Sequence, residues 1–195
     1  MLLDLFLNNV WLAIGLWCVM YLMDYLLTLK AARMYQTGAN KHFKFAGGYE
    51  LNPFFKQDVA FLRRFSPRFW LLLFLVSGLL FVLHSLDFPP GFAFAWGLLV
   101  GIQIAIHCRH IHNLMVFYYA SDSNGVSGYI EYQHWLSLRL SSIGLFSFAM
   151  VFLFLFLFLG TFFLLGTAVG GFTLALRHFL DSVKANKVLP KAAGD

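Results

Sequence analysis

The stretch "FWLLLFLVSGLLFVLHSLDFPPGF" (residues 69–92) decides the fold class. From Phe69 to Leu86 it contains no Asp, Glu, Lys or Arg, and a helix of that length crosses a hydrocarbon core of roughly 30 Å. Pro89, Pro90 and Gly91 cannot continue such a helix, so the chain must turn tightly and go back. A second apolar run starts at once from Gly91, which makes the pair a membrane hairpin.

The rest of the chain has the same character. Of 195 residues, 60% are apolar, 19% aromatic and only 12% charged, and the mean hydropathy is +0.73. That balance lies far outside the range of water-soluble domains. Strong apolar stretches cover about Leu5 to Leu29, Phe69 to Leu86, Gly91 to Ile106 with an extension to Tyr119, and Ile143 to Leu165. They predict an all-α, polytopic transmembrane helical bundle forming a single domain over 1–195.

The last apolar region is ambiguous. It runs on to Leu176, too long for one upright span, and no polar turn divides it. "VFLFLFLFLG" (151–160) alternates as a strand would, but a lone strand in lipid leaves its backbone unsatisfied, so a helix is expected. Gly160, Gly166, Gly170 and Gly171 are candidate break points. Four spans with a long, broken last helix is the first reading, with 166–180 unassigned. Arg177 and the basic tail 181–195, which holds Lys184, Lys187 and Lys191, argue instead for a fifth crossing or a re-entrant segment. The Leu/Phe run reads most simply as a lipid-facing surface.

Between the first two spans, Lys30, Arg33, Lys41, Lys44, Lys56, Arg63, Arg64 and Arg68 stand against Glu50 and Asp58. The positive-inside rule puts this connector (30–68) in the cytoplasm and the N-terminus outside a cytoplasmic membrane. Within it, Asn52 and Pro53 are expected to start an interfacial amphipathic helix, with Phe54, Phe55, Phe61, Leu62 and Phe65 toward lipid and basic residues toward anionic headgroups. Ser66 and Pro67 repeat the helix-start signal before the second span. After the third span, "ASDSNGVSGY" (120–129) is a loop, and Ser127 is expected to cap a helix from about Tyr129. "MLLDLFLNNV" (1–10) lacks the basic start and cleavage site of a secretory signal, so the first segment is expected to stay as an anchor. Cys18 and Cys108 are badly placed for a disulfide framework and read as reduced thiols.

Two stretches carry polar residues where apolar ones are the rule. In "MYLMDYLLTLKAARMY" (20–35), Asp24 and Thr28 are four apart and share a helix face. An ionisable group there is costly and marks a functional site by default; the bland alternative is an interfacial aspartate paired with Arg33 or a neighbouring helix. In "QIAIHCRHIHN" (103–113), Gln103, His107 and His110 fall on one face, Arg109 and His112 on another. Imidazoles ligate metals and titrate near physiological pH, which suits a proton relay; the alternative is contact with headgroups and the helix C-terminal dipole. Farther on, Glu131 and His134 have the i, i+3 spacing of helix-bundle metal sites. A second Glu-x-x-His and the zinc-hydrolase spacing are both absent. Asp24, Thr28, Glu50, Asn52 and Arg109 are therefore the candidate ligand-binding residues. Asp24, His107, His110, Glu131 and His134 are the candidates for a divalent transition metal. No phosphate loop or nucleophile elbow occurs, and the basic connector suits anionic lipid rather than nucleic acid.

Asp24, Thr28, Glu50, Asn52 and Pro53 also carry a resemblance. "DYLLTLKAARMY…GGYELNPFF" resembles the motif of a group of small, uncharacterised prokaryotic membrane proteins. In them an Asp and a Thr four residues later end the first helix, and Glu-x-Asn-Pro opens the second. The resemblance covers the first third of the chain. It implies a polar site at these positions and carries no activity.

Three functions stay open at this point. The leading one is a polar site in the inner leaflet that binds an ion or small polar ligand, with proton- or ion-coupled transport as its use. The second is a metal-dependent enzyme acting on a lipid-borne substrate, with Glu131 or Glu50 as general base. The third is a structural subunit of a homo-oligomer or larger membrane complex.

Overall fold

The computed structural model describes residues 2–46, 54–122 and 126–188. Glu50, Asn52 and Pro53 lie outside these, so the expected helix start at Asn52 does too. Asn9 sets the first boundary, since its side chain accepts hydrogen bonds from the backbone N–H groups of Trp11 and Leu12 at 3.1 and 3.2 Å. This cap divides a short α1 (Leu2–Asn8) from α2 (Val10–Thr37). The remaining helices are α3 (Lys56–Ala60), α4 (Pro67–Ser85), α5 (Pro89–Asp122), α6 (His134–Leu159) and α7 (Phe162–Val188). Of these, α2, α4, α5, α6 and α7 are long and apolar enough to cross a membrane.

The last apolar region thus forms two helices, so a fifth helix is long and apolar enough to cross a membrane, where four spans were the first reading. Gly160 makes the break. It adopts the left-handed conformation at φ 64°, which glycine tolerates best, and its N–H closes α6 on the Phe156 carbonyl at 2.7 Å. Gly166, Gly170 and Gly171 do not interrupt α7; they let it approach its neighbours. A Cβ on Gly166 would overlap the carbonyl of Phe94, and one on Gly170 would lie 2.8 Å from that of Leu98. From the other side, Gly97 and Gly101 of α5 face Phe163 and Thr167 just as closely. Thr167 then donates to the Gly97 carbonyl at 2.9 Å. Small residues four apart on both helices are the usual means of close packing in lipid, where burying apolar surface gives no drive.

α5 is the central helix, with α2 packed on one side and α7 on the other, while α4 rests on α2 and α5. α6 packs on α7 and has little contact with α5, so α5 and α6 splay apart. Ala13, Trp17, Leu80, Phe92, Trp96 and Val100 form the core of the α2–α4–α5 half, and Ala105, Leu145 and Ala175 join α5, α6 and α7. The outward face of α6, including Phe146, Met150, Phe154 and Phe158, is exposed as a lipid-facing surface should be.

At the connector end, β1 (Phe43–Phe45) pairs in parallel with β2 (Ile130–Tyr132), Lys44 opposite Glu131. This corrects the helix expected from Tyr129. Residues 130–132 satisfy their backbone against β1, and α6 starts only at His134. Glu131 and His134 are consequently not helix neighbours.

The expected amphipathic helix of the connector is also shorter than its pattern suggested. Asp58 turns inward, its carboxylate accepting from the Ser66 hydroxyl at 2.6 Å and from Arg63 at 3.2 Å. The Arg63 N–H bonds the Asp58 carbonyl at 2.8 Å, and Leu62 takes φ 49°. The chain therefore leaves the helix after Ala60, with Phe61 and Phe65 exposed beside Arg63 and Arg64. Ser66 does cap α4 as expected, accepting from the Phe69 N–H at 3.3 Å.

Candidate functional site

Asp24 and Thr28 point from one face of α2 at α5, where His110 meets both. His110 Nε2 is 2.9 Å from Asp24 Oδ1 and 3.0 Å from Thr28 Oγ1. His110 is only 4% exposed, and Thr28 is buried with it. The pairing of α2 with α5 thus supplies the polar company that a carboxylate in this position requires.

The two contacts share one ring nitrogen, which restricts the chemistry. In a nucleophilic triad, acid and hydroxyl sit on opposite nitrogens of the imidazole, so the base can take a proton from one side while held on the other. Here both groups meet Nε2, which can donate to the Asp24 carboxylate when it carries the hydrogen or accept the Thr28 hydroxyl when it does not. With acid and hydroxyl on the same nitrogen, the arrangement does not activate Thr28 as a triad would.

A cavity of about 240 Å³ adjoins this group, with walls from α2, α3, α4, α5, α6 and α7. Tyr21, Asp24, Thr28, Gln103 and His110 line it on the α2–α5 side. Three of these residues hold buried polar atoms with no hydrogen-bond partner among the described residues: Tyr21 OH, Gln103 Oε1 and His110 Nδ1. A buried polar group without a partner costs about 1–3 kcal/mol, so three around one cavity fit a polar occupant. The opposite wall carries Arg177, His178 and Asp181, with Arg177 Nε 3.9 Å from Asp181 Oδ2. Arg109, also in the lining, donates to Ser141 Oγ at 2.8 Å, and Ser141 Oγ lies 2.9 Å from His178 Nδ1. Carboxylates, from Asp24 and Asp181, and cations, from Arg109 and Arg177, thus line the same space.

Phe55, Val59, Phe69 and Leu72 provide the apolar lining on the α3–α4 side. What positions them is the buried Asp58, which ties α3 to the Ser66 cap of α4. The Tyr25 hydroxyl adds a 2.6 Å bond to the Arg63 carbonyl. Sequence reasoning counted Asp58 only as a charge. Its one local signal is an acidic residue shortly before a Ser-Pro helix start.

The structure brings together Asp24, Thr28 and His110, with Arg109 and Gln103 in the same lining. His107 does not join them: its Nδ1 meets the Gln103 carbonyl of its own helix at 2.6 Å, and it does not line the cavity. Glu131 is bound to Lys44 on the ladder at 3.4 Å, and His134 starts α6 away from the site. Glu50 and Asn52 lie outside the described residues. The proposed metal set of Asp24, His107, His110, Glu131 and His134 therefore reduces to two converging donors. Among the described residues no group of three or more His, Cys, Asp or Glu is placed to hold a metal ion. The residues missed from sequence are Tyr21, Arg177, His178 and Asp181; the last three lie on a helix whose existence was itself in question.

No known protein family, curated protein or solved structure matches the chain.

Proposed function

We propose that this is an integral protein of the cytoplasmic membrane that binds an ion or small polar ligand between α2 and α5, with the Asp24–His110 pair exchanging a proton as it does so. The observation that carries the reading is the cavity beside that pair, lined by three residues with buried unpartnered polar atoms. Ionisable groups facing a bundle interior are typical of proton and ion pathways. Charge distribution supports an orientation with the connector end in the cytoplasm. The connector cations, Arg139, Lys184 and Lys187 belong to that end, whereas the turn between α4 and α5 holds Asp87 and no Lys or Arg. In that orientation the site lies in the inner half of the bilayer.

Proton flux into vesicles tests the reading. The protein is reconstituted with a trapped pH-sensitive dye, and a potassium diffusion potential supplies the drive. Wild-type protein should carry protons above protein-free vesicles, and Asp24→Asn and His110→Gln should fall to the protein-free rate while remaining folded. Wild-type flux at the protein-free rate, or folded variants that conduct as well as wild type, would overturn it.

A further inference from the structure

The splaying of α5 from α6 leaves a second and larger space. A cleft of about 730 Å³ lies between them, within the range of small-molecule sites. Its lining is apolar with a polar band across it, Val116 and Phe117 lying on the connector side of that band. Ala105, Leu145 and Phe148 give an apolar stretch, while Arg109, Asn113 and Ser141 bring polar groups nearer the connector end. Phe43, Phe45 and Tyr132 of the ladder line it at that end. This is an amphipathic cleft on the flank of the bundle, its polar groups carried by α5 and α6.

Its charge is one-sided. Arg109 and two histidines, His110 and His112, line the cleft, and among the described residues no acidic one does. The arginines of α6 and α7 have partners: Arg177 faces Asp181, and Arg139 lies 4.2 Å from the Phe179 ring centroid and bonds Ser182. Arg109 has Ser141 but no carboxylate within ion-pair distance among the described residues. A guanidinium has five donors in a fixed fork suited to phosphate, and an unbalanced cation at membrane depth is costly. An anion from outside the chain is the partner this arrangement lacks.

We propose that the α5–α6 cleft binds one anionic phospholipid from the surrounding bilayer, its phosphate on Arg109 and an acyl chain along Ala105, Leu145 and Phe148. A phospholipid matches both parts of the lining, since it unites a phosphate with an alkyl chain. A second copy of this chain fits less well, because α6, which carries the broad exposed apolar face, has no Asp or Glu to offer Arg109. The lipid site is separate from the smaller cavity except where Arg109 and His110 stand between the two.

Gly144 makes the proposal testable without disturbing either the pair or Arg109. It lines the cleft, and a Cβ there would meet nothing within 4 Å, so a larger side chain has room to grow into the space. Full-length protein, delipidated in detergent, is incubated with phosphatidylglycerol or phosphatidylcholine of identical acyl chains, and retained lipid is measured per chain. Wild type should retain about one phosphatidylglycerol in preference to phosphatidylcholine. Arg109→Gln should weaken that retention about tenfold, the loss expected for one charge-assisted contact. Gly144→Leu should abolish retention of the chain while leaving proton flux intact. If Arg109→Gln does not fold, the Gly144→Leu comparison decides alone. Equal retention of the two lipids by wild type, or phosphatidylglycerol retention unchanged in a folded variant, would overturn the proposal. So would a wild-type dimer that Gly144→Leu converts to monomer with no change in bound lipid, since the second copy would then be the occupant.

Discussion

His110 Nε2 lies 2.9 Å from Asp24 Oδ1, a contact that joins the central helix α5 to α2 in the interior of the bundle. If Asp24 is removed, His110 Nε2 keeps only the Thr28 hydroxyl, and if His110 is removed, Asp24 loses the imidazole that faces it. Asp24→Asn and His110→Gln should therefore be strongly non-additive, with a coupling of about 1–3 kcal/mol in a double-mutant cycle on reversible unfolding. Thr28→Val removes the second contact to the same nitrogen and should cost about 1 kcal/mol. An additive cycle would show that the contact contributes no energy.

Asp58 makes a separate and sharper prediction, because it is a buried acid whose partners are all local to the α3–α4 junction. It is 3% exposed and receives the Ser66 hydroxyl and the Arg63 guanidinium. Asp58→Ala strands both donors and should lower stability by about 1.5–3 kcal/mol, the range for hydrogen bonds to a charged group. Tyr25→Phe, which loses the hydroxyl's bond to the Arg63 carbonyl, should cost about 1 kcal/mol. Thermal unfolding in detergent checks the order of the two. A smaller loss for Asp58→Ala than for Tyr25→Phe would mean that Asp58 is not the brace of the junction.

What the sequence could reveal about this site follows from the range of the interactions. Asp24 and Thr28 were legible because their four-residue spacing places them on one face whatever packs against it. The same rule linked His110 with Gln103, but it could not choose between His107 and His110, which are three residues apart on one broad face of the helix. Only the position of α2 makes that choice. Asp58 looked like one more surface charge because its partner is a side chain eight residues away. The ladder was invisible for a stronger reason: strands of three residues show too little alternation to register, and their pairing joins positions more than eighty residues apart. The glycines failed as punctuation because a lone glycine signals a break and a close approach equally well. Gly160 broke the helix, and Gly166 and Gly170 packed it.

Those two uses of glycine predict opposite responses to substitution. A Cβ at Gly166 would overlap the Phe94 carbonyl, and one at Gly97 the Phe163 carbonyl, so alanine at either should force α5 from α7 and cost about 1–3 kcal/mol. At Gly15 and Gly78 a Cβ would meet nothing within 4 Å, and both lie in helix interiors. Alanine there should be neutral or stabilise by up to about 1 kcal/mol through helix propensity. Unfolding midpoints of the four variants check this, and equal effects in the two pairs would contradict the packing of α5 on α7.

The last prediction separates the observed site from the broader set of polar residues in the sequence. Lys44 and Glu131 face each other at 3.4 Å with side chains 59% and 38% exposed, and so open a pair contributes under about 1 kcal/mol. His107 already spends Nδ1 on its own helix, and neither Glu131 nor His134 lines the cavity beside Asp24. Glu131→Gln, His107→Phe and His134→Ala should then leave proton flux at the wild-type level under the conditions in which Asp24→Asn and His110→Gln abolish it. The comparison is informative because all five positions share the connector half of the bundle and a similar chemistry, and differ in whether they reach the cavity. A loss of flux in folded Glu131→Gln or His107→Phe would extend the site beyond the α2–α5 contact and require a rearrangement that brings the ladder or the far face of α5 to Asp24.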